Sequence, residues 1–108
     1  MKTNQVLLIG YVGADPVIKS TEKGMKRAFI RLATHMPMRN EKGEKVWDTV
    51  WHDIVAWDST AVYAGRSFVK GSKIMVDGCI EYRVYPDKSG HTRYYTQIKA
   101  NSLMNLDR

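Results

Sequence analysis

Cysteine is nearly absent from this chain. Cys79 stands alone, which excludes an intrachain disulfide and with it the disulfide-stapled secreted scaffolds. No C-x-x-C pair occurs, and His35, His52 and His91 share no metal-ligand spacing with one another or with Cys79, so no metal centre is expected. No apolar run nears the roughly 20 residues needed to span a bilayer. The start, Met1-Lys2-Thr3-Asn4-Gln5, leads into only a few apolar residues before Gly10, too few for a signal-peptide core. A cytosolic protein with no membrane partner follows. Acidic residues are also scarce, 11 against 17 Lys and Arg, for a formal net charge of +6. They are scattered, with no carboxylate pair of the kind that holds two catalytic metals. Gly10-Tyr11-Val12-Gly13 lacks the lysine and the length of a phosphate-binding P-loop. Neither an enzymatic centre nor a cofactor is expected.

What is present points elsewhere. A chain of 108 residues, 44% of them apolar, makes one domain with one modest core. Its basic excess favours polyanionic partners: single strands, duplexes or an anionic surface. Three tryptophans, Trp47, Trp51 and Trp57, occupy odd positions of one stretch running from Val46 to Trp57. In an extended strand they share a face, with Val50, His52, Ile54 and Ala56 on the other. An apolar side is already available for burial, yet the flat aromatic groups gather opposite it.

The remaining pattern is of strands with one helix. Residues 5–11 form an apolar first strand, and Gly10, Gly13 and Asp15-Pro16 mark a bend. Residues 25–34 alternate, with Ala28, Ile30 and Leu32 inward and Arg27, Phe29 and Arg31 outward. Residues 35–45, polar with Pro37 and Gly43, read as a mobile hairpin loop. Asp58-Ser59-Thr60 supplies N-cap chemistry for a helix over residues 60–69, with Val62, Gly65, Phe68 and Val69 on its buried stripe and Gly71 as terminator. Residues 73–85 form a long strand whose even members, from Ile74 to Val84, face inward. Pro86-Asp87-Lys88-Ser89-Gly90 turns the chain into a last strand over residues 92–100. Three strands, a helix and two strands, the first strand bent, is the order of the OB-fold, a five-stranded Greek-key barrel. The expected domain covers residues 1–104, with 105–108 a short end.

On the outward faces, cations and rings interleave: Arg27, Phe29 and Arg31; Trp47, Trp51 and Trp57; Arg83 and Tyr85; Arg93, Tyr95 and Lys99. A ring accepts any unpaired base, at about 1–3 kcal/mol per stack, and cations neutralise phosphates without regard to sequence. Bases must be unstacked to use such a surface, so single strands are favoured over duplexes. Each piece alone also fits a plainer reading: a tryptophan in the core, a solvated arginine, Phe29 packed under the loop. The parity argument further requires that no bulge separate Trp51 from Trp57. His52, on the apolar parity of its strand, suits a hydrogen-bonded packing or interface residue better than a catalytic base.

The sequence resembles the bacterial single-stranded DNA-binding proteins from Asn4 to about Asn101. The resemblance is carried by Asn4-x-Val6-x-Leu8-Ile9-Gly10, Gly13-x-Asp15-Pro16, Ile30-x-Leu32-Ala33-Thr34, Trp51-His52-x-Ile54-Val55, Val69-Lys70-Gly71-Ser72, Val76-x-Gly78, Tyr82-Arg83 and Asp87-x-Ser89-Gly90-x-x-Arg93-Tyr94. It implies an OB-fold, usually a homotetramer wrapped by single-stranded DNA, acting in replication, recombination and repair near the nucleoid. Its stacking rings correspond to Trp51, Trp57 and Tyr85, while Met38 replaces a further family tryptophan. His52 corresponds to a subunit-interface histidine, and the first strand, with Asn4, Val6 and Leu8, to the segment that pairs subunits. Trp47 and Phe29 are added ring candidates; Arg27, Arg31, Lys70, Lys73, Arg83 and Arg93 are the phosphate candidates. The chain stops at Leu106-Asp107-Arg108 without the family's flexible linker and acidic tip, so recruitment of repair enzymes through such a tail is not expected. Two alternatives remain: a tailless, dimeric replication-restart protein of related fold, and an OB subunit that binds protein through its aromatic face.

Overall fold

The computed structural model describes residues 3–107; Met1, Lys2 and Arg108, the outermost residues of the expected domain and terminal end, lie outside them. Strands form at β1 (Val6–Val12), β2 (Val17–Ser20), β3 (Lys26–Arg39) and β4 (Lys45–Trp57), followed by α1 (Asp58–Ser67), β5 (Lys73–Pro86) and β6 (Thr92–Asn105). β1 and β2 are the two halves of the bent first strand. Both pair with β3, Val12 opposite Leu32 and Val17 opposite Phe29, with the corner at residues 13–16.

Around the molecule β1 pairs with β5, β5 with β6, β6 with β4, β4 with β3, and β3 returns to β1. The result is a closed five-stranded barrel of OB type. All pairings are antiparallel except that of β4 with β6, which is confined to Ile54 with Ile98 and Val55 with Lys99. Inside lie Val12, Ala28, Ile30, Leu32, Ile54, Ala56, Ile74, Val76, Ile98 and Ala100, closed at one end by Ala61, Ala64 and Phe68. Each large aliphatic side chain sealed in this way contributes about 1.5–3 kcal/mol.

Several local expectations need correction. The segment expected as a loop over residues 35–45 is a ladder, since β3 and β4 run on paired as far as Arg39 and Lys45. Only residues 40–44 turn, where Asn40 Oδ1 accepts from the Lys42 and Glu44 backbone N–H groups. Composition misleads there because the ribbon stands clear of the barrel and neither face needs to be apolar. The same holds in β5, where the even residues point inward only as far as Gly78. Ile80, Tyr82 and Val84 are exposed, Tyr82 to 76%, because the strand has left the barrel.

α1 begins at Asp58, whose φ of 53° is left-handed, and no side chain caps it. It buries Ala61 and Ala64 in place of the expected Val62 and Gly65, while Phe68, expected inside, is buried just past the helix end and Val69 is exposed. β6 continues to Asn105, past a register shift opposite Asp77 and Gly78, and Leu106 N–H still donates to Lys73 O. The last strand, expected to end at residue 100, is therefore longer by five residues. The two projecting hairpins raise the radius of gyration to 15.9 Å, against about 13 Å for a compact chain of this length.

Candidate nucleic-acid interface

The β3–β4 register is unbroken from Arg27 with Trp57 to Arg39 with Lys45, so no bulge separates Trp51 from Trp57. On the outward face its rungs are Arg27 with Trp57, Phe29 with Val55, Arg31 with Asp53, Ala33 with Trp51, His35 with Thr49, and Pro37 with Trp47. Trp47 lies about 13 Å from Trp51 along the strand, and Trp57 about 20 Å on the other side. Exposure falls along this series: Trp47 is 67% exposed, Trp51 48%, and Trp57 half-buried. Val55 is sealed despite its outward parity, at the position where β4 pairs with Lys99 of β6.

Arginines stand over these rings. Arg27 Cζ is 4.5 Å from the Phe29 centroid and 5.4 Å from that of Trp57; Arg31 Cζ is 5.3 Å from Trp51. Such contacts hold a guanidinium in place while keeping its charge. Arg31 also pairs with Asp53 at 3.2 Å. Arg27 Nε is buried with no hydrogen-bond partner, an arrangement that costs stability and that folding alone does not explain. Trp51 depends on Gly13 in turn. A Cβ at Gly13 would lie 2.5 Å from the Trp51 ring, so only glycine lets the indole rest on the bend between β1 and β2.

The second hairpin adds rungs of the same parity, Arg83 with Tyr95 and Tyr85 with Arg93. Tyr85 and Tyr95 meet edge to face at 5.4 Å, and with Arg83 and Asp53 they line a hollow of about 470 Å3 between the two hairpins. Asp53 and Tyr95 also line a 280 Å3 hollow with Phe29 and Arg31. Trp51, Phe29, Arg31, Arg83, Tyr85 and Tyr95 thus border connected ground between the hairpins, with Trp57 and Arg27 beyond it. Arg93 is partly committed, because its Nε donates to Asp87 Oδ2 at 2.9 Å. That bond, with backbone N–H groups of His91 and Ser89, holds the Asp87 carboxyl below its usual range.

Other candidates fall elsewhere. Lys70 is exposed, and its backbone N–H is tied to Asp15. Lys73 lies opposite Tyr11, at the far end of a row that crosses the barrel through Ala33 to Trp51. Sequence reasoning missed Tyr11, which is exposed with its ring 6.2 Å from that of His35. Its odd parity was legible, but β1 is apolar on both faces and gave no contrast. His35 and Trp47 line a further hollow on the β3–β4 ribbon.

The interface candidates divide. Asn4 bonds through both side-chain polar atoms to the backbone of Ile80, extending the β1–β5 pairing. Val6 and Leu8, expected at the subunit contact, pack against the core of their own barrel, while Leu7 and Ile9 point outward at 61% and 53% exposure. The barrel claims the even parity of β1 because Val12 must face inward at its end. His52 is half-buried with Nε2 2.9 Å from Thr34 Oγ1. Burial lowers its pKa below the ordinary 6.5, against the pull of Asp53.

No group of three or more metal-ligating side chains occurs among the described residues, and no helix is long and apolar enough to cross a membrane. The arrangement offers rings and cations along a solvent-facing track. The profile of the Single-strand binding protein family matches residues 3–106. A single-stranded DNA-binding protein of Xanthomonas campestris is 34% identical over 103 residues, covering 95% of this chain and 60% of its own length. One from Rhizobium meliloti is 36% identical, over 88% of this chain and 56% of its own. The chain thus spans somewhat over half of these relatives. Among solved structures, a Plasmodium falciparum SSB complex with ssDNA superposes with a TM-score of 0.88 at 30% identity, covering 99% of this chain and 97% of that one. A deletion mutant of the Thermus aquaticus single-stranded DNA binding protein gives 0.84 at 29% identity, over 96% and 50%. Barrel topology, the displayed tryptophan ladder and a profile match over nearly the whole chain agree, and the protein belongs to the single-strand binding protein family.

Proposed function

We propose that this chain binds single-stranded DNA with little sequence preference, without catalysing a reaction, and so protects exposed strands during replication, recombination and repair at the nucleoid. Bases stack on Trp51, Trp57 and Tyr85, with Trp47 and Phe29 extending the track; Arg27, Arg31 and Arg83 meet the phosphates. Lys70, Lys73 and Arg93 serve at its margins. The observation that carries this reading is the pairing of cation and ring on one solvent-facing ladder, Arg27 over Trp57 and Arg31 over Trp51. Each stack contributes about 1–3 kcal/mol.

Self-association, as a homotetramer or a dimer, accompanies this function. Supporting it, the outward faces of β1, β5 and β6 place Leu7, Ile9 and Met104 in solvent around half-buried Met75, a contiguous apolar group of the kind that marks an association surface.

The first test is quenching of tryptophan fluorescence by oligo-dT across a salt series. Saturable quenching is expected, with log affinity falling against log salt at a slope of about −0.7 per phosphate contact. Intact fluorescence and no affinity at low salt would reject the proposal and favour a protein-binding OB subunit.

A further inference from the structure

Beside Trp57 opens a shallow depression of 660 Å3, lined also by Glu22, Lys23, Met25, Asp58 and Lys99. Trp57 and Met25 form an apolar wall against which one base fits. Lys23 and Lys99 are cations of the kind that meet phosphate. Glu22 and Asp58 run against that logic, since a carboxylate at a polyanion's docking point repels it. Neither is neutralised: the ion pairs among the described residues join Arg31 with Asp53 and Arg93 with Asp87, and none involves this depression.

A carboxylate next to a stacked base has one compensating use. Ionised, it only accepts hydrogen bonds. It therefore favours an edge that donates through an amine, as cytosine does at N4 and adenine at N6, over that of thymine, whose one donor, N3–H, lies between the O2 and O4 acceptors that repel a carboxylate. Asp58 is the better placed of the two. It follows Trp57 directly, and its backbone is held in the first turn of α1, whereas Glu22 sits in the turn that Gly24 closes onto Thr21.

We propose that Asp58 makes the Trp57 position selective for bases bearing an exocyclic amine, with its carboxylate accepting from that amine while the ring lies on the indole. The inference rests on the reading of the chain as a single-strand binder and adds a specificity that stacking lacks. Trp51 and Tyr85 stay indifferent to base identity, so the preference belongs to one position of the track.

The test compares oligo-dC with oligo-dT of equal length, by equilibrium titration of the whole chain and of Asp58→Gly. Glycine suits the left-handed φ of 53° at this position, so the variant retains the backbone while losing the carboxylate. Oligo-dT is expected to bind the variant somewhat more tightly, through lost repulsion, while oligo-dC also loses the hydrogen bond and so weakens. The dC-to-dT affinity ratio should fall by about fivefold, the scale of one discriminating hydrogen bond. Asp58→Asn, whose amide donates as well as accepts, provides a second variant if the first melts early, and should lower the ratio in the same direction. Binding of both oligomers with a ratio unchanged within twofold in both variants would overturn the assignment of Asp58. Binding of neither by the unaltered chain would instead overturn the function beneath it.

Discussion

Trp51 has its place because Gly13 has no side chain. Gly13→Ala would push a Cβ into the indole and tilt the ring off the track. Affinity for oligo-dT should fall by a good part of the about 1–3 kcal/mol that one stack supplies, with only a small change in melting temperature; unchanged affinity by fluorescence titration would remove Trp51 from the site. Trp47 tests the opposite case. At 67% exposure its removal in Trp47→Ala should leave stability within about 0.5 kcal/mol, yet weaken binding of oligomers long enough to reach the β3–β4 ribbon. Equal affinity for such oligomers would confine the track to the barrel. His52 acts on stability through protons. Its pKa is held below 6.5 in the folded chain, chiefly by burial, so the unfolded chain takes up the proton first as pH falls. That contribution is full above about 6.5 and is lost as pH drops through the lower folded value. Melting temperature should decline over this window, and less steeply in His52→Gln; identical slopes would show that other groups govern it.

Strand parity was legible wherever one face of a strand lies over the core. Ala28, Ile30 and Leu32 against Arg27, Phe29 and Arg31 is such a case, and so are Trp51 and Trp57 against His52, Ile54 and Ala56. It failed where strands leave the barrel. Residues 35–39 and 45–49 lie on no core and carry no alternation to read. Ile80, Tyr82 and Val84 carry the apolar pattern past the point where anything covers it. Gly78 marks that point. Its missing Cβ lets Lys99 of β6 approach backbone to backbone beside the register shift. Gly78→Ala should therefore spread β5 from β6 and destabilise the fold by about 1–3 kcal/mol, measured by urea unfolding. A loss under about 0.5 kcal/mol, the range of ordinary surface changes, would mean that the ladder adjusts freely. β1 gave the opposite trouble: apolar residues on both faces hid the fact that Leu7 and Ile9, and not Val6 and Leu8, point away from the barrel.

At the scale of the whole molecule, the net charge of +6 and the exposed apolar face of β1 and β5 pull toward different partners. Charge suits a polyanion; Leu7, Ile9 and Met75 suit a second copy of the chain. Leu7→Glu with Ile9→Glu should lower the mass in solution, seen by sedimentation, while circular dichroism stays that of a folded barrel. An unchanged mass would place the subunit contact elsewhere. Closure of the barrel also puts the site together, because β4 and β6 pair at residues 54–55 and 98–99 and then diverge. The hollows between their hairpins are where Asp53 of one meets Tyr95 of the other.

By itself the sequence determined which residues alternate, that rings and cations share one parity, and that three strands, a helix and two strands follow in order. These are local properties of an extended backbone and need no partner to be read. Only the tertiary structure decided which alternating stretches are covered, that Gly13 lies under Trp51, and that Tyr11 joins the outward face. Those outcomes depend on where neighbouring strands end and how closely they approach, which no single stretch of chain contains.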